Sequence, residues 1–240
     1  MKDNRFTFII PCYNAKDTIV QMMMSVIAQT HNKWKMIIRD DMSTDGTPDL
    51  ITAFARHMGV SEKISLTVNT EKMWEVRNIV ESLKECEKDD IVCRLDGDDW
   101  LCDLDALSII NYRYASLNVD TLWTAHRWSF SDHNISAPLP KNVDPYKHPW
   151  VSSHLKTFRK SLIENVSDEN FRGSDGEYFK RIGDQALYLP VLHNSAGNWH
   201  YDPLVAYHYT IDMAAETFQT EDAKFQKSEG EFLRSRGYLG

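Results

Sequence analysis

Asp96-Gly97-Asp98-Asp99-Trp100 places three carboxylates within four positions, directly after the apolar run Ile91-Val92-Cys93-Arg94-Leu95. Carboxylates this close raise one another's pKa unless a positive charge lies between them, and a hard divalent ion held by oxygens answers that need. The same residues also fit an acidic turn that closes a strand, with Asp-Gly as the turn signal. A second acidic stretch, Asp40-Asp41-Met42-Ser43-Thr44-Asp45-Gly46-Thr47-Pro48, follows the strand-like Trp34-Lys35-Met36-Ile37-Ile38-Arg39. Two carboxylate clusters at strand ends point to one ligand-binding edge, because open α/β sheets bind ligands beyond the carboxyl ends of their strands.

The elements that must position these residues alternate. Arg5-Phe6-Thr7-Phe8-Ile9-Ile10 reads as a strand that breaks at Pro11-Cys12-Tyr13-Asn14, so a third loop reaches the same edge. Helical patterns run near 15–29, 48–58, 73–85 and 103–116, with Thr47 suited to cap the second and Pro48 to its first turn. Ile64-Ser65-Leu66-Thr67-Val68 and Val119-Asp120-Thr121-Leu122-Trp123 read as further strands. Such alternation predicts an α/β fold, a mostly parallel sheet with helices on both faces, and 240 residues suit one domain, 1–240.

Composition narrows the setting. A net charge of −8 gives no overall attraction to nucleic acid. The four cysteines, Cys12, Cys86, Cys93 and Cys102, have no metal-ligand spacing, and reduced thiols are expected. No stretch approaches the roughly 20 apolar residues that cross a bilayer, and the N-terminus lacks a signal core, so a soluble, cytoplasmic protein is expected. The proline-bearing segment from Ser129 to Trp150 reads as a long binding loop or lid.

Five motifs together resemble the glycosyltransferase family 2 enzymes of GT-A, Rossmann-like fold: Pro11-Cys12-Tyr13-Asn14, Gln29-Thr30, Asp40-Asp41-Met42-Ser43-Thr44-Asp45-Gly46-Thr47, Arg77-Asn78 and Asp96-Gly97-Asp98-Asp99, in the family's order. The resemblance implies a nucleotide-sugar-binding half, 1–102, and an acceptor-binding half, 103–240. It implies Mn²⁺ or Mg²⁺ at Asp98 with Asp96 or Asp99 assisting, and a UDP-sugar donor. Pro11, Cys12, Tyr13 and Asn14 would wrap the base, Asp41 would meet the uracil, Asp96 the ribose or metal, and Arg77 the nucleotide. Asp40 and Asp45 fit either that site or the ordering of their own turn.

The family's base is the Asp of a Glu-Asp pair that opens a helix, a little over twenty residues before a Leu-x-x-Tyr-Arg segment. Gly183-Asp184-Gln185 stands at that distance from Leu204-Val205-Ala206-Tyr207-His208, which selects Asp184, with Asp175 of Ser174-Asp175-Gly176-Glu177 as runner-up. Gly183 departs from the pattern by replacing the Glu. His208 occupies the place of the usual Arg and fits a metal ligand or a strand histidine; His148, His154, His193 and His200 are candidates for lining an acceptor pocket. Trp150 to Lys160 resembles the acceptor-side helix. The expected activity is metal-dependent, inverting transfer of a sugar to an acceptor hydroxyl, of a glycan or, less favoured, of a hydroxymethylated base in phage DNA. A noncatalytic nucleotide-sugar or carbohydrate binder and a nucleotidyltransferase are the alternatives, although the latter normally opens with a Gly-rich, basic loop absent here.

Overall fold

Alternation along the first strand lays out the layers. In the computed structural model, which describes residues 3–211 and 220–240, β1 (Phe6–Cys12) is buried along its whole length. Phe6, Phe8 and Ile10 face one core, and Ile9 faces another. That is the pattern of a strand covered on both faces. The first core holds α1 (Ile19–Ile27), α2 (Thr47–His57) and α4 (Ala106–Leu117); the second holds α3 (Trp74–Leu83), α5 (Gly183–Ser195) and Leu233 of α6 (Glu221–Arg236).

Between these layers lies one eight-stranded sheet in the order β3-β2-β1-β4-β7-β6-β8-β5. Its remaining strands are β2 (Trp34–Asp40), β3 (Ile64–Val68), β4 (Ile91–Arg94), β5 (Trp100–Leu101), β6 (Thr121–Trp128), β7 (Lys156–Arg159) and β8 (Trp199–Tyr209). β1 to β4 pair in parallel, so the loops after β1, β2 and β4 leave from the same edge. β7 runs antiparallel to both β4 and β6, whereas β6 and β8 are parallel, with register shifts at Thr124 to His126. The two-residue β5 pairs antiparallel with the end of β8, matching Trp100 to His208 and Leu101 to Tyr207. A segment that directly follows the acidic cluster is thereby clipped to a strand more than a hundred residues later.

Three local expectations are corrected. β1 does not break at Pro11 but runs through it to Cys12, because pairing with β4 stops at Ile9 and the prolyl nitrogen faces no donor requirement on that side. Thr47 is the first residue of α2 rather than its cap; Gly46 takes the cap position at a φ of 90°, and the Asp45 carboxylate accepts from the Thr47 amide at 3.0 Å and its hydroxyl at 2.6 Å. Trp150 to Lys160 is not a helix. Its second half is β7, with Lys156, Thr157 and Phe158 fully buried between β4 and β6. Lys156 and Phe158 there present no surface to a nucleic-acid strand.

The segment from 129 to 155 holds neither helix nor strand. It is pinned by the indoles of Trp123 and Trp199, which donate to the carbonyls of Ala137 (3.1 Å) and Leu139 (2.9 Å). All four cysteines are free.

Gly97 shows how tightly the acidic loop seats on β1. A Cβ there would lie 2.6 Å from Cys12 Cβ, next to the backbone of the strand end. Gly97→Ala should therefore cost about 1–3 kcal/mol in denaturant melts, the range for overpacking a close-fitted site.

Candidate active site

The loops after β1 and β2 are stitched into one wall. Asn14, at a φ of 48°, donates its amide to Ser43 Oγ (2.7 Å) and accepts from the Thr44 amide through Oδ1 (2.9 Å). Asp45 adds a bond from the Lys16 amide, and buried Asp40 accepts from the Ser43 amide at 2.9 Å. Asp40 and Asp45 thus order the turn. Tyr13 is exposed, with the Lys72 ammonium 3.2 Å from its ring centre.

Asp41 is buried, and its carboxylate is filled by the protein's own donors. Oδ1 accepts from Asn69 Nδ2 and the Met73 amide, both at 2.8 Å; Oδ2 accepts from the Trp74 amide at 3.0 Å and faces Lys72 Nζ at 3.2 Å. Burial pushes this carboxyl up, but the Met73, Asn69 and Asn78 hydrogen bonds and the Lys72 charge outweigh it and hold Asp41 below the usual range. These partners use the four acceptor positions of a carboxylate. Of these partners Lys72 is the one on a long, partly exposed side chain. Arg77, one turn into α3, pairs with Glu71 at 2.9 Å and lines a groove of about 600 Å³ with Trp74, Arg172, Tyr178 and Lys180.

The loop after β4 carries the acidic cluster, and its central cation is Arg94, fully buried at the end of that strand. Arg94 Nη2 donates to Asp96 Oδ1 at 2.6 Å and to Glu75 Oε1 at 2.7 Å. Tyr207 on β8 donates its hydroxyl to Asp99 Oδ2 at 2.6 Å and accepts from the Asp96 amide at 3.3 Å; the Thr210 amide donates to Asp99 Oδ1 at 2.7 Å. Asp98 differs from its neighbours. Among the described residues no side chain bonds to its carboxylate, while the protein packed around it and the Asp96 charge push it up to about 6. Burial and the same like charges raise Asp99 further. Asp98 is thus the carboxylate left without a side-chain partner among the described residues, and its hard oxygens fit a divalent ion. Protein ligands alone do not complete a shell, since among the described residues no three His, Cys, Asp or Glu side chains are arranged to hold a metal.

On the other side of Arg94 stands Asp184, in the first turn of α5. Lys156 Nζ lies 2.8 Å from its Oδ1 and His154 Nε2 3.5 Å from its Oδ2. Lys156 also approaches His154 Nδ1 at 3.2 Å. An ammonium can only donate, so it places the imidazole proton on Nε2, facing Asp184. Burial pushes Asp184 up, but Lys156 and its other cationic neighbours outweigh that and hold it well below the carboxylate range. Burial and Lys156 keep His154 neutral, stacked on Tyr207 at 4.5 Å.

Not every expected residue arrives here. Asp175 sits in an exposed turn where it accepts from the Glu177 amide at 3.0 Å, apart from the acidic cluster. His208 stacks on Trp100 at 3.8 Å beside that cluster, but its ring nitrogens meet Arg127 Nε and Ser129 Oγ, both at 3.3 Å. Sequence reasoning missed Glu75, Arg94 and Lys156 as site residues, and named His154 only as a candidate for lining an acceptor pocket. A charged residue inside a run that otherwise reads as buried, such as Arg94 in Ile91 to Leu95, was the available signal.

Comparison with known proteins bears on the family and the fold. The profile of Glycosyl transferase family 2 matches residues 7–167, and the chain belongs to that family. EpsE, a provisionally named glycosyltransferase of Bacillus subtilis (strain 168), is 31% identical over 98 residues, which cover 40% of this chain and 33% of EpsE. The chain spans a fifth to a third of the length of the curated relatives it matches. Residues 1–349 of TarS from S. aureus, solved with UDP-GlcNAc, superpose with a TM-score of 0.68 at 16% identity, covering 98% of this chain and 68% of that one. The mannosyltransferase PcManGT from Pyrobaculum calidifontis, solved with GDP-Man and Mn²⁺, gives 0.60 at 18% identity, covering 88% and 58%. These likenesses establish the GT-A-like fold. Among the described residues no helix is long and apolar enough to cross a membrane.

The Lys156–Asp184 pair has a pH signature. Because the folded pKa of Asp184 is depressed, its contribution to stability is complete above the ordinary Asp value of about 4 and is lost as pH falls below it. Lys156→Met should cost about 2–4 kcal/mol at pH 7, since it orphans a largely buried charge. It should also flatten the acid limb of stability between about pH 5 and pH 2; thermal melts across that range read both effects.

Proposed function

We propose that this chain is a metal-dependent, inverting glycosyltransferase that moves a sugar from a UDP-sugar to an acceptor hydroxyl, most simply that of a glycan. The observation that carries the reading is the meeting of two carboxylate sets at one place: the acidic cluster after β4 and Asp184 at the start of α5, bridged by Arg94 and Glu75. Residues 1–102 bind the donor and residues 103–240 shape the acceptor side. Asp98, with Asp96, would hold Mn²⁺ or Mg²⁺, which when bound would offset charge on the departing diphosphate.

The chain's own residues do the rest. Pro11, Cys12, Tyr13 and Asn14, with Asp41, form the wall for the base and ribose, and Arg77 stands near the nucleotide. Asp184, ionised at neutral pH, takes the proton of the attacking hydroxyl, and Lys156 and His154 fix its orientation. Inversion follows if that hydroxyl attacks the anomeric carbon directly, from the side opposite the diphosphate. A phage DNA base is disfavoured as acceptor because Lys156 and Phe158, central to the basic and aromatic stretch, lie inside the sheet.

Asp98→Ala should abolish divalent-dependent UDP release from UDP-sugars, as should EDTA on the unaltered protein; full turnover of the variant in chelator would remove the metal from the reading. Asp41→Ala should weaken UDP by about 1–3 kcal/mol in calorimetric titration. Asp184→Asn should leave UDP affinity nearly unchanged while turnover falls roughly 10²–10⁴-fold. Unchanged turnover would instead favour a binder, or a base elsewhere.

A further inference from the structure

We propose that Glu75 is a positioning residue for transfer: from α3 it caps α5, which carries Asp184, and through Arg94 it locks that helix start to Asp96. The inference rests on the reading of Asp184 and Asp96 just given.

The helix start itself poses the problem. Position 182, which precedes α5, is an isoleucine with no side-chain acceptor to offer, so the first amides of the helix need a partner from elsewhere. Glu75 supplies it: Oε2 accepts from the Gly183 amide at 3.1 Å. A carboxylate at a helix N-terminus also meets the positive end of the helix dipole. Its other oxygen, Oε1, accepts from Arg94 Nη2 at 2.7 Å, and the same nitrogen reaches Asp96 Oδ1 at 2.6 Å. One carboxylate therefore spans the donor-side and acceptor-side residues, which belong to separate strands and helices.

Gly183 makes room for it. A Cβ at this position would fall 2.1 Å from Glu75 Oε1 and 2.2 Å from its Cδ, so any side chain at 183 and the Glu75 carboxylate exclude one another. Gly183 has no positive φ that would otherwise require glycine. The glycine is thus explained by the volume of Glu75. The carboxylate expected beside Asp184 in sequence is delivered instead from α3, more than a hundred residues upstream. The ring closes on the far side, where Lys156 and His154 hold Asp184 and His154 stacks on Tyr207, which bonds Asp99.

The test is a swap, read by UDP release from UDP-glucose, UDP-galactose and UDP-GlcNAc in Mn²⁺, by the Mn²⁺–UDP dissociation constant, and by hydrogen exchange at the Gly183 amide. Glu75→Gln keeps the volume and loses the charge and one acceptor, so it serves where Glu75→Ala fails to fold. Glu75→Gln and Gly183→Ala should each lower kcat roughly tenfold or more with donor KM little changed, the mark of lost positioning rather than lost donor binding. Both should speed exchange at residue 183. Glu75→Ala combined with Gly183→Glu returns a carboxylate to the same space and should recover most of the lost kcat. Wild-type kcat and exchange in Glu75→Gln would overturn the proposal, as would a double variant no better than Gly183→Ala. Failure of the underlying reading looks different: Asp184→Asn would then retain turnover, whereas the response of exchange at residue 183 to Glu75 would persist.

Discussion

A buried guanidinium is the constraint on which the site depends. Arg94 has no exposed surface, and a desolvated charge of that kind persists only with opposite charge held against it. Its partners, Asp96 and Glu75, are therefore not free to wander, and the elements that carry them inherit the restriction. β4 must end where Asp96 can turn back onto Arg94, and α3 must begin where Glu75 can reach inward. The acidic cluster would carry prohibitive repulsion without this cation. Arg94 quiets Asp96, Tyr207 and Thr210 occupy Asp99, and Asp98 is left without a side-chain partner among the described residues. Strong order on two carboxylates and openness at the third is an arrangement suited to receiving an ion rather than to enclosing one.

Much of this was legible in the sequence. The strand-end motifs located Asp41, Asp96, Asp98 and Asp99 because they are local: each lies within a few residues of an apolar run whose period and length declare a strand. The family's spacing to Tyr207 singled out Asp184, which the fold sets beside Lys156 and Arg94. Trp150 to Lys160 failed for the opposite reason. Its mixture of aromatic, hydroxyl and basic residues has no clean period, and the sheet between β4 and β6 decides its conformation by pairing. Lys156 then becomes a buried cation whose partner, Asp184, is 28 residues away in the sequence. Glu75 was illegible altogether, because nothing in Trp74-Glu75-Val76-Arg77 distinguishes it from a solvated helix residue until α5 is packed against α3. Gly183 was noticed as a departure, and only the packing supplies its cause.

Asp41 shows a different limit. Sequence suggested a carboxylate waiting for a base, yet the fold fills its four acceptor positions with Asn69, Lys72, Met73 and Trp74. The residue is thereby both a structural tie for the loop into α3 and a candidate for base contact, with Lys72 as the partly exposed partner. Two roles on one carboxylate mean that a defect in ligand affinity and a defect in loop order arrive together when it is altered.

The clip between β5 and the end of β8 bears on how modular such a chain can be. Trp100 and Leu101 complete the donor-side loop only by pairing with His208 and Tyr207, and Asp99 is held by Tyr207 and Thr210. Residue 102 is thus not a structural seam. A chimera that kept residues 1–102 and borrowed another acceptor half would inherit an acidic loop whose second anchor is missing. Trading halves would break this tie, because the strand from 199 to 209 supports the acidic loop while being encoded late in the chain.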